Sequence, residues 1–155
     1  MRRAVVLFAE VLLGLFLSTA PVRADFDSGL MAYASGDFDT AAREFSVLAK
    51  SGDKEGQYYM GLLYEEGQGV PQRFDNAEKC YKKAAQQDYL DAYFALGEMY
   101  LHRPGDKKDR VSAYYWLEMA AKHGHPRGMD EFLRNQKAMT PEQISLAKKA
   151  AKNQP

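Results

Sequence analysis

Apolar residues recur at intervals of three and four along most of the chain. Met60, Leu63 and Tyr64 follow this spacing, and residues 96–100 repeat it further on. Such spacing places the apolar side chains on one face of an α-helix. No segment shows the sustained alternation of a strand, and glycine and proline cluster between the periodic stretches, as at 67–71. The pattern therefore predicts an all-α chain of short helices joined by turns.

The helical pattern itself repeats after 36 residues. Residues 56–64 align without a gap on residues 92–100, and the same offset relates Ala77 to Ala113 in a following helix. A period of this length is typical of stacked helix-turn-helix units that share a continuous core. We therefore predict a right-handed α-solenoid of about three to four such units.

The predicted units differ in length, and the last one ends the stack. Their boundaries are a shortened first repeat at 25–53, full repeats at 54–88 and 89–124, and C-terminal capping helices at 125–155. Thr140, Pro141 and Gln143 carry the signals of a capping box with proline at the first helical position, which predicts a final helix over 141–151.

Gly61 and Gly97 lie inside predicted helices, where glycine costs about 1 kcal/mol relative to alanine. We attribute both glycines to the close approach of a neighbouring helix. Alanines on the following helices would supply the complementary small faces. They stand at 77, 84, 85, 113, 120 and 121.

Residues 1–24 are predicted to be a secretory signal peptide. Arginines at 2 and 3 precede an apolar stretch over 4–17, and the small residues Val22 and Ala24 indicate cleavage after Ala24. We therefore expect a periplasmic or secreted protein without stable membrane insertion. The alternative is that the segment remains as a membrane anchor.

Charge and cysteine content restrict the partners and the stabilising bonds that we expect for this chain. Removing residues 1–24 takes away three arginines and one glutamate, so 18 basic and 20 acidic side chains remain and the net charge is −2. Because this chain has no basic excess, we expect no nucleic-acid partner. Cys80 is the only cysteine, so no internal disulfide can form and stability must come from packing.

The first full unit matches a recognisable repeat. Residues 56–71 read Gly-x-Tyr-x-Met-Gly-x-x-Tyr-x-x-Gly-x-Gly-Val-Pro, and Ala77 and Tyr81 continue the pattern. This resembles the Sel-one-like repeat family, a branch of the tetratricopeptide superfamily. The resemblance implies an adaptor whose first helices line a concave side. The second full unit departs from the pattern at 101–108, where a basic loop replaces the glycine-rich one.

Neither catalysis nor metal binding is predicted. Ser51–Lys54 and Ser145–Lys148 fit the S-x-x-K pattern of penicillin-recognising enzymes, but the partner motifs K-T-G and S-D-N are missing. His123 and His125 lie close together without a third ligand at a suitable spacing. We expect no enzyme, no cofactor and no metal site.

By the family analogy, candidate binding residues lie between the core positions of the first helices. They are Tyr59, Leu62, Glu65, Glu66, Glu98, Leu101 and His102. The acidic residues nearby favour a basic partner segment, although a solvated helix face is equally compatible with them. We predict a monomeric adaptor for a protein or peptide partner. The alternative is a binder of small molecules or cell-wall fragments, or an enzyme acting on them.

Overall fold

The structure is a computed structural model, and it describes residues 25–103 and 109–152. The predicted signal peptide and most of the basic loop lie outside these residues. Within them the chain is all-α, as predicted, and none of its helices is long and apolar enough to cross a membrane. The helices are α1 (Phe26–Ser35), α2 (Phe38–Lys50), α3 (Lys54–Glu66), α4 (Phe74–Ala85), α5 (Leu90–His102), α6 (Arg110–Lys122), α7 (Gly128–Lys137) and α8 (Pro141–Ala151).

Side-chain caps define where several helices begin. Asp53 accepts a hydrogen bond from the main-chain nitrogen of Gly56 at 2.6 Å at the start of α3. At the start of α8 the predicted capping box is formed. The nitrogen of Gln143 donates to Thr140 Oγ1 at 3.2 Å, and the nitrogen of Thr140 donates to Gln143 Oε1 at 2.9 Å. These local bonds satisfy donors that a helix leaves free at its amino terminus.

Successive helix pairs stack into a right-handed solenoid. The helices of each pair, α1 with α2, α3 with α4 and α5 with α6, pack against each other, and the second helix of a pair packs on the first helix of the next. The main core surrounds the fully buried side chains of Tyr81, Leu96 and Leu117, and a second core surrounds Phe45 and Leu63.

The two helical glycines lie where the prediction places close contacts. A Cβ atom at Gly61 would meet the ring of Tyr81 on α4, and one at Gly97 would lie 2.5 Å from Leu117 Cδ2 on α6. Five of the six predicted alanines are buried, whereas Ala121 is partly exposed. The small residues therefore allow the helices of one pair to approach each other.

The last two helices depart from this arrangement, because α8 makes its main contact with α6. Ala147 of α8 is buried in a small cluster with Tyr114 of α6 and Met139. Leu133 takes the place of Gly61 and Gly97 in α7, and it is 50% exposed. A leucine there removes the close approach that joins the helices of the earlier pairs. The final helix instead lies back over α6.

Candidate functional site

The predicted binding residues come from two first helices, α3 and α5. These two helices contact each other, so their side chains contribute to one surface, which we call the first-helix face. Only Glu66 and His102 among the predicted residues are exposed, whereas Leu101 is buried and the others are partly buried. The face therefore combines groups that are free to bind with groups that also hold the fold.

Tyr59 and Leu62 belong largely to the core. The Tyr59 ring stacks on Phe45 with centroids 4.7 Å apart and contacts Tyr33 edge to face at 5.5 Å. Leu62 packs against the main core cluster. Their removal would weaken packing as well as any contact with a partner.

Glu65 has a structural partner. Its Oε2 atom accepts a hydrogen bond from the Tyr81 hydroxyl at 2.7 Å. Burial raises the pKa of the Glu65 carboxyl, and the bond from Tyr81 acts in the opposite direction. Glu66 follows directly and is exposed, so its carboxylate is accessible to a partner, although it also interacts with the Tyr33 hydroxyl, whose pKa it helps to raise.

A cavity of about 300 Å³ opens beside the carboxyl end of α5. Glu98, Leu101 and His102 form its α5 side, so the structure brings together the three predicted residues of this helix. Leu101 is only 9% exposed but lines the cavity. The other side was not predicted and comes from α6 and α7: Arg110, Glu131, Arg134, Asn135 and Ala138.

Glu98 is the electrostatic centre of this cavity. Its Oε1 atom is buried, and none of the described residues donates a hydrogen bond to it. Burial raises the pKa of the Glu98 carboxyl and Glu131 raises it further, while His102 and Arg134 are among the groups that lower it. Because a buried acceptor without a donor is unfavourable, a donor placed here by a partner would stabilise the complex.

Asn135 fixes the α7 wall, and sequence reasoning missed it. The residue is 1% exposed; its Nδ2 donates to the carbonyl oxygen of Arg110 at 3.0 Å, and Arg110 Nη1 donates to its Oδ1 at 3.3 Å. In a helix with many polar residues, nothing local distinguishes this asparagine from a surface residue. It joins α7 to the start of α6 and so positions Arg134 at the cavity.

The two histidines considered as metal ligands pack on aromatic rings of α5. His123 stacks on Tyr93 at 4.8 Å, and His125 stacks on Phe94 at 4.2 Å with 11° between the rings. His125 Nε2 also lies 3.5 Å from Asp91 Oδ1. In the part of the chain that the structure describes, no three potential metal ligands come together.

The two S-x-x-K serines lie on different parts of the surface. Ser51 is exposed after α2, and its hydroxyl donates to the carbonyl oxygen of Leu48 at 2.8 Å. Ser145 is exposed on α8. The two motifs therefore do not converge on the cavity beside α5.

The repeat period, the helix pairs and the close glycine contacts agree with a family comparison. The profile described as Sel1 repeat matches residues 54–89 and 90–125. The chain carries two Sel1 repeats. Sel1 repeat proteins are helical-repeat scaffolds for protein interactions, within the tetratricopeptide-like superfamily.

Two relatives and one solved structure show how far the likeness extends. The chain is 32% identical over 95 residues to the uncharacterized protein NMB1327 of Neisseria meningitidis, covering 61% of this chain and 20% of that one. It is 30% identical over 94 residues to chitin synthase regulatory factor 3 of Schizosaccharomyces pombe, and this match covers 60% of this chain and 10% of that one. The matches thus span a fifth of these relatives or less.

The solved structure is c5321, a protective antigen of uropathogenic Escherichia coli with the same repeat fold. It superposes with a TM-score of 0.72 at 25% identity, covering 83% of this chain and 28% of that chain. This similarity extends beyond the two matched repeats, because it takes in most of the described helices.

Proposed function

We propose that the mature chain is a periplasmic or secreted adaptor that holds a protein or peptide partner on the first-helix face. The observation that carries this proposal is the cavity between α5 and α7, where Glu98 Oε1 is buried and receives no hydrogen bond from the residues that the structure describes. A Sel1 solenoid supplies the scaffold. We propose no catalytic role for the chain.

The size of the cavity favours a peptide side chain over a small-molecule ligand. Small-molecule sites usually enclose about 300–1,000 Å³, so a cavity of about 300 Å³ is at the lower limit. A lysine or arginine could donate to Glu98 while its methylene groups contact Leu101 and Ala138. The surrounding arginines make the wall mixed in charge, so the partner segment would combine one such basic residue with acidic neighbours.

The face is small, which limits affinity. Helices α3 and α5 have 13 residues each, and at 1.5 Å per residue each is about 20 Å long. An interface at the low end, under about 1,200 Å², usually belongs to a weak or transient complex. We expect micromolar binding that weakens with salt.

The name of the yeast relative, a regulatory factor of chitin synthase, supports a role that acts through another protein. The second candidate function, binding or turnover of cell-wall fragments, is testable by incubating the purified protein with such fragments and with β-lactams. Turnover or covalent labelling would support an enzyme and contradict the adaptor.

The decisive experiment is site-specific photo-cross-linking in cells that make the protein. A photoreactive amino acid would replace Glu66 or His102, both exposed on the first-helix face, and in a matched control Lys79, which is exposed on α4. We expect one shared adduct from positions 66 and 102 that is absent from position 79. An adduct of equal yield at all three positions, or none at 66 and 102, would contradict the proposal.

A further inference from the structure

The second helices carry another surface with an unusual composition. On α6, the partly buried Tyr115, Trp116 and Met119 line surface grooves. The equivalent positions, 36 residues earlier on α4, hold Lys79, Cys80 and Lys83. The repeat core therefore does not require large apolar side chains here, because α4 fits its own place with polar and small ones.

Two grooves flank these side chains. One lies between α6 and α8 and has a volume of about 570 Å³, and the other lies between α6 and α4 and has about 480 Å³. Tyr115 and Met119 line both, so the grooves share a wall. Trp116 lines the second groove and a smaller cleft of about 180 Å³ that also includes Tyr115. Together they form one surface, the aromatic–lysine groove.

The α8 side of this groove is basic, whereas Asp88 lines its opposite side, after α4. Lys122 pairs with Glu118 at 3.2 Å, so its charge is largely balanced. Lys148 and Lys152 of α8 line the same groove and are exposed, and within the described residues neither forms an ion pair. These two positive charges therefore border the side chains of Tyr115 and Met119, on a chain whose net charge after residue 24 is −2.

We propose that the aromatic–lysine groove is a second docking surface, filled by an acidic amphipathic helix of a partner protein. Tyrosine, tryptophan and methionine are enriched at protein interfaces, and an amphipathic helix binds by laying its apolar face in such a groove. Its carboxylates would lie toward Lys148 and Lys152, where opposite charge favours association. This surface is formed mainly by α4, α6 and α8, and it shares none of its lining residues with the cavity beside Glu98.

Trp116 gives the experiment a built-in reporter, because it is the only tryptophan of the chain. The probe is a synthetic helical peptide with leucine and phenylalanine on one face and glutamate on the other. The control peptide has lysine in place of each glutamate. We expect a saturable change of Trp116 fluorescence with the acidic peptide, weaker at high salt, and none with the basic peptide.

Two matched charge reversals locate the binding. Lys148→Glu reverses a charge at the groove, whereas Lys149→Glu changes the next residue of α8, which is also exposed but lines a different groove with Pro141 and Leu146. We expect Lys148→Glu to weaken binding about 10-fold, as for other charge reversals at an interface, and Lys149→Glu to leave it nearly unchanged. Circular dichroism of both variants checks that the fold is kept.

Four results would overturn the proposal: no saturable signal with the acidic peptide, equal binding of the basic peptide, equal effects of the two reversals, or binding of oligogalacturonate without binding of the peptide. The last would mark a site for acidic sugars. Glu66→Lys changes the first-helix face and should leave binding of the acidic peptide unchanged. The peptide experiment therefore tests the aromatic–lysine groove independently of the adaptor proposal.

Discussion

The ring of Tyr81 lies so close to Gly61 that a Cβ atom on residue 61 would come within 2.5 Å of Tyr81 Cδ1. One repeat later, Gly97 and Leu117 have the same relationship. In both pairs the first helix leaves out a side chain so that the second helix can bury a large one against it. The glycines therefore determine how tightly each pair closes.

Overpacking these contacts should destabilise the fold. We expect Gly61→Leu and Ala120→Leu each to lower the free energy of unfolding by about 1 to 3 kcal/mol or more. Urea unfolding followed by circular dichroism measures the effect. Ala34→Leu, at an exposed position of α1, is the control and should stay within about 0.5 kcal/mol. Unchanged midpoints for Gly61→Leu and Ala120→Leu would contradict the repeat alignment.

The hydrogen bond from Tyr81 to Glu65 should couple the two helices energetically. Tyr81→Phe leaves the ring in place but removes the donor from a partly buried carboxylate, which costs about 1 to 3 kcal/mol. A double-mutant cycle with Glu65→Ala, which removes the acceptor, should give a coupling energy of about 0.5 to 3 kcal/mol. Tyr115→Phe is the control, because the Tyr115 hydroxyl forms no hydrogen bond with the residues that the structure describes. Strict additivity in the cycle would show that the bond contributes nothing.

The features that the sequence predicts well depend on local or repeated signals. The offset of 36 predicts the contacts of Gly61 and Gly97, because equivalent residues occupy equivalent places in each unit. The capping box at Thr140 and Gln143 is local, since both of its bonds span three residues. Such signals are readable without knowing how distant elements pack.

The features that it does not predict arise from packing at the end of the stack. Nothing local indicates that α8 lies over α6, or that Asn135 is buried to hold α7 in place. Leu62 and Glu65 have the right positions for binding residues, but their second role in the core depends on contacts with the main core cluster and with Tyr81. Half of the cavity beside Glu98 was missed for this reason.

The stability of the protein should fall when His125 becomes protonated. Burial against Phe94 lowers the pKa of His125, although Asp91 opposes this effect. Because the pKa is lower in the folded state, the unfolded chain takes up the proton first as the pH falls below about 6.5. The folded state therefore loses stability as the pH is lowered from about 6.5 toward the pKa that His125 has in the folded protein.

Melting temperatures of the wild type and of His125→Gln between pH 8 and 5 test this prediction. The difference between the two proteins should change with pH in the stated direction, since the variant lacks the titrating group. The comparison with the variant is needed because Glu65 and Glu98 have raised pKa values in the folded state. At acidic pH these two residues make the stability increase as the pH is lowered, which opposes the effect of His125. Parallel curves would contradict the role of His125.

Export should produce a chain that begins at Asp25. Mass spectrometry of the exported protein decides this, and Ala24→Leu should block cleavage and leave the precursor. Asp25 accepts a hydrogen bond from the nitrogen of Asp27 at 3.2 Å and caps α1, and its own nitrogen lies 3.4 Å from Glu44 Oε2. A free amino group there would pair with Glu44. An exported chain that keeps residues 8–17 would instead indicate a membrane anchor.

Binding on the first-helix face should be separable from folding. Substitutions of Leu62 and Glu65 would also disturb the fold, because Leu62 packs in the core and Glu65 bonds to Tyr81. Glu66→Lys and Glu98→Gln are better variants. Glu66 is exposed, and Glu98→Gln keeps the shape of the side chain while it removes the charge.

Isothermal titration against the partner recovered by cross-linking should show weaker binding for both variants, by about 2- to 10-fold, while circular dichroism shows that both keep the helical fold. Asp39→Lys, exposed on α2, is the control and should bind like the wild type. Because burial raises the pKa of Glu98, its carboxylate becomes protonated and loses its attraction for a basic residue at a higher pH than an exposed glutamate would. The affinity of the wild type should therefore decrease as the pH is lowered, and the affinity of Glu98→Gln should decrease much less. Wild-type affinity in both variants would exclude the first-helix face as the binding surface.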